Sequence, residues 1–144
     1  MAEKEPEISQ EKQQEMQQKY MEMQTISQQM QQLQKQQEVL ANQINELNLT
    51  KEALDDIAKT KEGTEIRVPL ASGIFIKAQL TDNKDVGVNV GAGTSVKKTI
   101  SDAKELIDEQ LKEISKFRDE SAANLMQITG KAKQIETELS ELIK

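Results

Sequence analysis

The chain contains no cysteine, no histidine and no tryptophan. Without cysteine, neither a disulfide framework nor a thiolate metal site can form. Without histidine, the commonest metal ligand and the commonest general base are both missing. Aromatic residues make up 2% of the 144 residues and apolar residues 35%, against 31% charged. That is too little bulk for an ordinary globular interior, and it suits a long helix hairpin. A formal net charge of -6 without a basic stripe argues against nucleic acid or an anionic membrane as partner. No run approaches the ~18 consecutive apolar residues of a membrane span. The stretch Met1 to Gln10 has no apolar core of the kind a secretory signal needs. The expected location is the cytoplasm.

Proline is scarce too, and none lies between Glu7 and Val68. A long helix can therefore run without interruption. Ile26, Leu33, Leu40, Leu47 and Leu54 recur every seven positions. Met16, Met23, Met30, Gln37 and Ile44 interleave with them at three-and-four spacing. This is the a/d seam of a coiled coil, and the Gln, Glu and Lys between its members favour helix and stay wet. The pattern predicts a first helix over residues 9–61, roughly 75 Å long at 1.5 Å per residue. Gly63 is its expected C-cap. Residues 1–8 are polar, include Pro6, and are expected to be disordered. The glutamine-rich tract from Gln10 to Gln43 reads as a solvated helix face rather than a prion-like segment, because the heptad runs straight through it.

A second seam follows over residues 101–143. Ile107, Leu111, Ile114, Arg118, Ser121, Leu125, Ile128, Ala132, Ile135, Leu139 and Leu142 alternate by four and three. Ser101 is the expected N-cap, with Glu105 in the first turn. Each seam has a polar break, Gln37 in the first and Arg118 with Ser121 in the second. If the chain folds back on itself with Ile57 near Leu106 or Ala103, residue numbers across the pair sum to about 160. Gln37 then lies opposite the stretch around Ser121, where a polar layer would set the antiparallel register.

Between the helices, residues 64–99 change period. Ile66, Val68 and Leu70 alternate with polar or proline positions, as do Ile74, Ile76, Ala78 and Leu80 with Phe75, Lys77 and Gln79. Val86, Val88 and Val90 alternate with Gly87 and Asn89. Period two with one apolar face signals half-buried strands. The turns fall at Ala71-Ser72-Gly73, Thr81 to Asp85 and Gly91-Ala92-Gly93, which makes two β-hairpins. The glycine cluster lacks the further glycine or lysine of a phosphate loop and is read as a hairpin turn. Isolated hairpins are marginal in water, and their edges are unpaired. The apolar face of Ile66, Val68, Leu70, Ile74, Ile76, Val86, Val88 and Val90 is therefore expected to find another chain, with no helix to spare for it. The fold class is α+β: one domain over residues 1–144, a long antiparallel coiled-coil hairpin carrying two β-hairpins that oligomerise.

No residue is a candidate for catalysis, cofactor binding or metal ligation. The carboxylates are spread along solvated helix faces, where Glu and Lys support the helix and its solubility. The chain does not read as an enzyme.

The stretch Val68-Pro69-Leu70-Ala71-Ser72-Gly73-Ile74-Phe75-Ile76-Lys77-Ala78 resembles the first hairpin of alpha-class prefoldin subunits. Val88-Asn89-Val90-Gly91-Ala92-Gly93, followed by Val96-Lys97-Lys98-Thr99, resembles their second. Thr94 and Ser95 stand where many relatives have aromatic residues. With the flanking heptads the resemblance covers nearly the whole chain. It implies a co-chaperone subunit needing no ATP and no cofactor, assembled as two alpha-class with four beta-class chains on a β-barrel base. Unfolded clients would be held between coiled-coil tips and passed to a group II chaperonin. Residues at the outer helix ends suit that role: Met16, Tyr20, Met21 and Met23 on the first helix, and Ile135, Leu139, Leu142 and Ile143 on the second. Tyr20, Met21 and Ile143 fall outside the strict seam, and methionine adapts to many partners. The alternative for the eight is that they only close the coiled-coil end. For the chain as a whole, the alternative is a structural scaffold subunit that binds one dedicated native partner.

Overall fold

The computed structural model describes residues 9–143, so the expected disorder of residues 1–8 lies outside the described residues. Helix α1 spans Gln10–Lys59. Strands β1 (Glu65–Ala71), β2 (Ile74–Gln79), β3 (Asp85–Gly91) and β4 (Thr94–Thr99) follow, and α2 spans Ile100–Ile143. Helix, two hairpins, helix is the order the periodicity predicts. The chain divides into two compact units: residues up to Ala41 with those from Lys116 on, and Asn42–Ser115.

In the first unit α1 begins at Ser9, whose hydroxyl accepts the backbone N–H of Lys12 at 3.3 Å. A serine oxygen at the N-cap satisfies one of the four donors a helix start leaves open. Seam residues of the two helices meet in a cluster of Ile26, Ile135 and Leu139, flanked by Met16, Met23, Met30, Ile128 and Ala132. Lys19 on α1 is ion-paired with Glu138 on α2, so the helices run antiparallel with partner numbers summing to 157. The polar layer differs from expectation. Arg118 is exposed and pairs with Asp119 on its own helix at 3.6 Å. Gln37 is half-buried. Ser121 is 4% exposed, yet its Oγ has no hydrogen-bond partner. Gln37 and Ser121 do not pair, because a side chain as short as serine is enclosed at the seam rather than reaching across it.

In the second unit the core is Leu54, Ile100, Ala103 and Ile107, with Leu47, Ile57 and Leu111 packed around it. Lys51 and Asp108 pair at 2.6 Å, and Lys104 pairs with Asp55. Each step of four residues along α1 is matched by four in the opposite sense on α2. The helix ends differ in detail from the sequence expectation. Gly63 is not the C-cap of α1, which ends at Lys59. It lies in a turn closed by the Thr64 N–H on the Lys61 carbonyl at 3.2 Å, with φ +86°. That is the left-handed region glycine enters without steric cost. The N-cap of α2 is Thr99 and not Ser101: the Asp102 N–H donates to Thr99 Oγ1 at 3.1 Å. The Ile100 N–H is already held by the Lys84 carbonyl at 3.0 Å, so the last strand residue is placed to cap and Ser101 falls inside the first turn.

The strands form two separate two-stranded antiparallel sheets, β1–β2 and β3–β4. In the first, Ile66 faces Ala78 and Val68 faces Ile76, while Arg67 faces Lys77 and Pro69 faces Phe75. Cross-strand partners share a face, so one side carries the expected apolar set and the other adds Phe75 near the turn. In the second, Val86 faces Lys98 and Val88 faces Val96. Its turn places Ala92 at φ 50° and Gly93 at φ 72°. Positive φ at two successive turn residues is the type I′ geometry whose twist matches a hairpin. The glycine cluster thus serves the turn.

Val86 and Val88 pack against the Leu54, Ile100, Ala103 and Ile107 core of their own chain. The expectation that no helix covers the strand face is therefore corrected for β3. The hydrogen bond from Ile100 to Lys84 draws the start of α2 against the start of β3, and burying two valines there removes apolar area from water.

Candidate functional site

Two exposed apolar surfaces stand out, one in each unit. The first is where α1 begins and α2 ends. The eight residues expected there separate into three sets. Ile135 and Leu139 are buried in the seam. Met16, Met23 and Leu142 are half-buried at its margin. Tyr20 (53% exposed), Met21 (68%) and Ile143 (65%) point to solvent. The split follows from heptad position. Residues at a and d face the partner helix, and the neighbours of those positions do not.

Beside this end runs an open groove of about 690 Å³, with Met21, Thr25 and Ile26 from α1 and Ile128, Lys131 and Ile135 among its lining residues from α2. Its apolar floor is the edge of the buried cluster. Sequence reasoning did not single out Thr25 or Ile128 as part of a surface. The signal was present, since Ile128 is itself a seam position and Thr25 directly precedes the seam residue Ile26. Glu138 also lines the groove. The hydrogen bond from the Lys19 ammonium holds its carboxyl below the ordinary carboxylate value. The same bond raises Lys19 above the ordinary lysine value.

The second surface is the β1–β2 hairpin. Leu70, Ile74, Phe75 and Ile76 are exposed, as is Val90 on β3, while Ile66 and Val68 are half-buried. Each sheet has only two strands, so every strand keeps an unpaired edge. Exposed apolar side chains together with free edges make a surface suited to pairing with another chain. Of the eight residues expected there, Val86 and Val88 already pack against the helix core of their own chain.

The remaining shifted groups are structural. The hydrogen bond from Lys104 lowers the Asp55 carboxyl. The backbone N–H groups of Lys84 and Asp85 lower Asp82, which accepts both in the loop between the hairpins, at 2.8 Å and 3.2 Å. Each shift belongs to an ion pair or a turn. Among the described residues no cluster of three or more carboxylates could hold a metal ion. Among the same residues no helix is long and apolar enough to cross a membrane.

Fold and surfaces together define a class: a helix-pair subunit carrying two β-hairpins with apolar, unpaired strand surfaces. Comparison with known proteins identifies which. The family model "Prefoldin subunit" matches residues 26–144. The chain is similar to prefoldin subunit alpha of Methanopyrus kandleri, at 43% identity over 125 residues, spanning 87% of this chain and 78% of that protein. It is similar to prefoldin subunit alpha of Methanobrevibacter smithii at 35% identity over 86 residues, 60% of this chain and 58% of that protein. A cryo-EM structure of filamentous PFD from Methanocaldococcus jannaschii shares the fold, with a TM-score of 0.71, covering 80% of this chain and 95% of that chain at 20% identity. The chain belongs to the prefoldin family, as an alpha-class subunit. Membership carries a non-enzymatic, chaperone-type function and assembly with other subunits.

Proposed function

We propose that this chain is a subunit of an ATP-independent cytoplasmic holdase, which captures unfolded proteins at the end of its helix pair and delivers them to a group II chaperonin. The observation that carries the reading is the exposure of Tyr20, Met21 and Ile143 where α1 begins and α2 ends. These side chains lie outside the seam, so the helix pair does not need them for its own burial. Met16, Met23 and Leu142 flank them, and Ile135 and Leu139 support them from within the seam. An unfolded client offers no fixed shape. Flexible methionine and an amphipathic tyrosine suit that task better than a rigid pocket.

The β1–β2 hairpin, with Val90, is the surface through which the subunit joins beta-class chains. The proposed assembly is two alpha with four beta. Several weak ends acting together then raise avidity without any strong single contact.

The test is suppression of aggregation by the assembled complex. Tyr20, Met21 and Ile143 are each changed to serine in the alpha-class chain. Suppression of a denatured client should fall steeply while native mass spectrometry still finds the complete assembly. Removing residues before Gln24 and after Thr137 should have the same effect in stronger form. Undiminished suppression in both variants rejects capture at this end. Tight binding of one native protein, with no affinity for unfolded ones, would instead mark a scaffold.

A further inference from the structure

A second groove in the first unit carries a different chemistry. It has a volume of about 340 Å³ and lies between Gln29, Gln32 and Gln36 of α1 and Asn124 and Gln127 of α2, with Leu33 and Ile128 at its base. Every polar side chain lining it is a carboxamide, and all five are exposed. The three glutamines stand at i, i+3 and i+7, so they share one helix face. The lining is uncharged: no Asp, Glu, Lys or Arg occurs from Met23 to Gln34 or from Ser121 to Gly130, and Lys35, Glu120 and Lys131 stand just beyond those stretches. Positions flanking a coiled-coil seam are commonly Glu and Lys, whose ion pairs choose partner and orientation. Here that charge is missing from both helices at the same level.

We propose that this groove is a further client contact, which holds the extended main chain of an unfolded polypeptide segment. The inference rests on the capture reading above and adds the chemical feature that is recognised. A carboxamide donates through its NH2 and accepts through its oxygen, as a peptide group does. A folded protein has most of its backbone groups paired internally, whereas an unfolded one presents them free. A neutral lining also rejects no segment for its charge, because burying a client's unpaired charge against fixed charges of the same sign is what disfavours binding. The half-buried Leu33 and Ile128 leave an apolar floor for a side chain pointing inward.

Continuity supports this occupant. The amide groove shares Gln29 and Ile128 with the larger groove beside the helix end. A segment seated at Met21 can therefore run along the helix pair, from a lining that mixes Met21, Ile26 and Ile135 with the charged Glu22, Lys131 and Glu138 to one whose polar side chains are amides alone. Each hydrogen bond replaces one to water and is individually weak, which suits a contact that must later release.

The experiment uses the assembled complex with a photo-crosslinking phenylalanine derivative at one position of the full-length alpha-class chain. The positions are Gln32, Gln127, Tyr20 and, as control, Gln31, which is exposed but lies outside the groove. The probe is a labelled model protein, reduced and alkylated so that it stays unfolded. Crosslinks are expected at Gln32, Gln127 and Tyr20 and not at Gln31. Gln32→Glu with Gln127→Glu, nearly isosteric but unable to donate, should weaken probe binding about tenfold, the loss of one or two ordinary hydrogen bonds, with assembly and Tm unchanged. Crosslinks at Tyr20 alone with unchanged affinity overturn the amide contact and leave capture at the helix end standing. Groove positions that crosslink to another subunit in place of the probe overturn it also. A probe that crosslinks nowhere removes both readings.

Discussion

Lys19 and Glu138, separated by 119 residues in sequence, form an ion pair across the two helices of the first unit. The pair sits beside the apolar cluster of Ile26, Ile135 and Leu139, and Glu138 also lines the groove next to it. It locks one helix against the other at the end proposed to meet clients. The folded state holds Glu138 below the ordinary carboxylate value and Lys19 above the ordinary lysine value.

A pH dependence follows. For Glu138 the stabilisation is complete above its unfolded pKa and is lost as pH falls through the depressed folded value. For Lys19 it is complete below the unfolded pKa and is lost as pH rises through the elevated folded value. Stability from this pair should thus be flat through neutrality and decline at both extremes. Glu138→Gln should remove its part of the acid decline. Thermal melts from pH 2 to 7 check this, and added salt should shrink the difference because both groups are reachable by solvent. An unchanged acid profile in the variant would show that the pair does not stabilise the fold.

Ser121 offers a gain in stability. Its buried hydroxyl has no partner, whereas Thr25, Thr129 and Thr137 in the same unit donate to carbonyls four residues back. An unsatisfied buried hydroxyl costs about 1–3 kcal/mol. Ser121→Ala removes the polar atom without adding volume and should raise Tm by a few degrees. Ser121→Leu should do the reverse, because a site that already encloses serine would be overpacked. Calorimetry of the assembled complex decides both, and a lower Tm for the alanine variant would mean that the hydroxyl is satisfied in solution.

Much of this was legible from residue spacing. The seams, the antiparallel pairing near a constant sum and the two hairpins all follow from periods of three-and-four and of two. These are the signals that most directly reflect backbone geometry. What was not legible depends on contacts between elements. Alternation shows that Val86 and Val88 share an apolar face, but it does not say which partner covers it. Spacing marks Ser121 as a seam position but not its lack of a hydrogen-bond partner. Ser101 and Thr99 are both competent caps, and the choice was made by the hydrogen bond that fixes Ile100 to Lys84. The exposure of Tyr20, Met21 and Ile143 follows from heptad position alone. The amide groove needs both helices at once, because its two sides are about 90 residues apart in sequence.

Ala92 should be improvable. It occupies the left-handed region at φ 50°, where a residue with a Cβ is disfavoured by roughly 1–2 kcal/mol. Asparagine tolerates this conformation, and Asn-Gly is the favoured pair for a type I′ turn. Ala92→Asn should stabilise the second hairpin by about 0.5–1 kcal/mol. The midpoint of urea unfolding should move up with an unchanged slope. A shift downward would show that the turn in solution is not type I′.

The two hairpins should answer differently to the same substitution. Ile76 is exposed in the single chain and lies on a sheet whose strand edges are free. Val88 is packed against the chain's own core. Ile76→Asp should therefore leave the helix content and stability of the isolated subunit unchanged and abolish assembly, because a charge would be buried at the contact between chains. Val88→Asp should destabilise the subunit itself by several kcal/mol, since the charge replaces a methyl pair packed against the cluster of Leu54, Ile100, Ala103 and Ile107. Circular dichroism melts of the separate chains, followed by native mass spectrometry after mixing with beta-class partners, distinguish the two. If Ile76→Asp assembles normally, the β1–β2 face is not the joining surface. If both variants melt like the parent, the packing of β3 on the helix pair is not part of the stable fold.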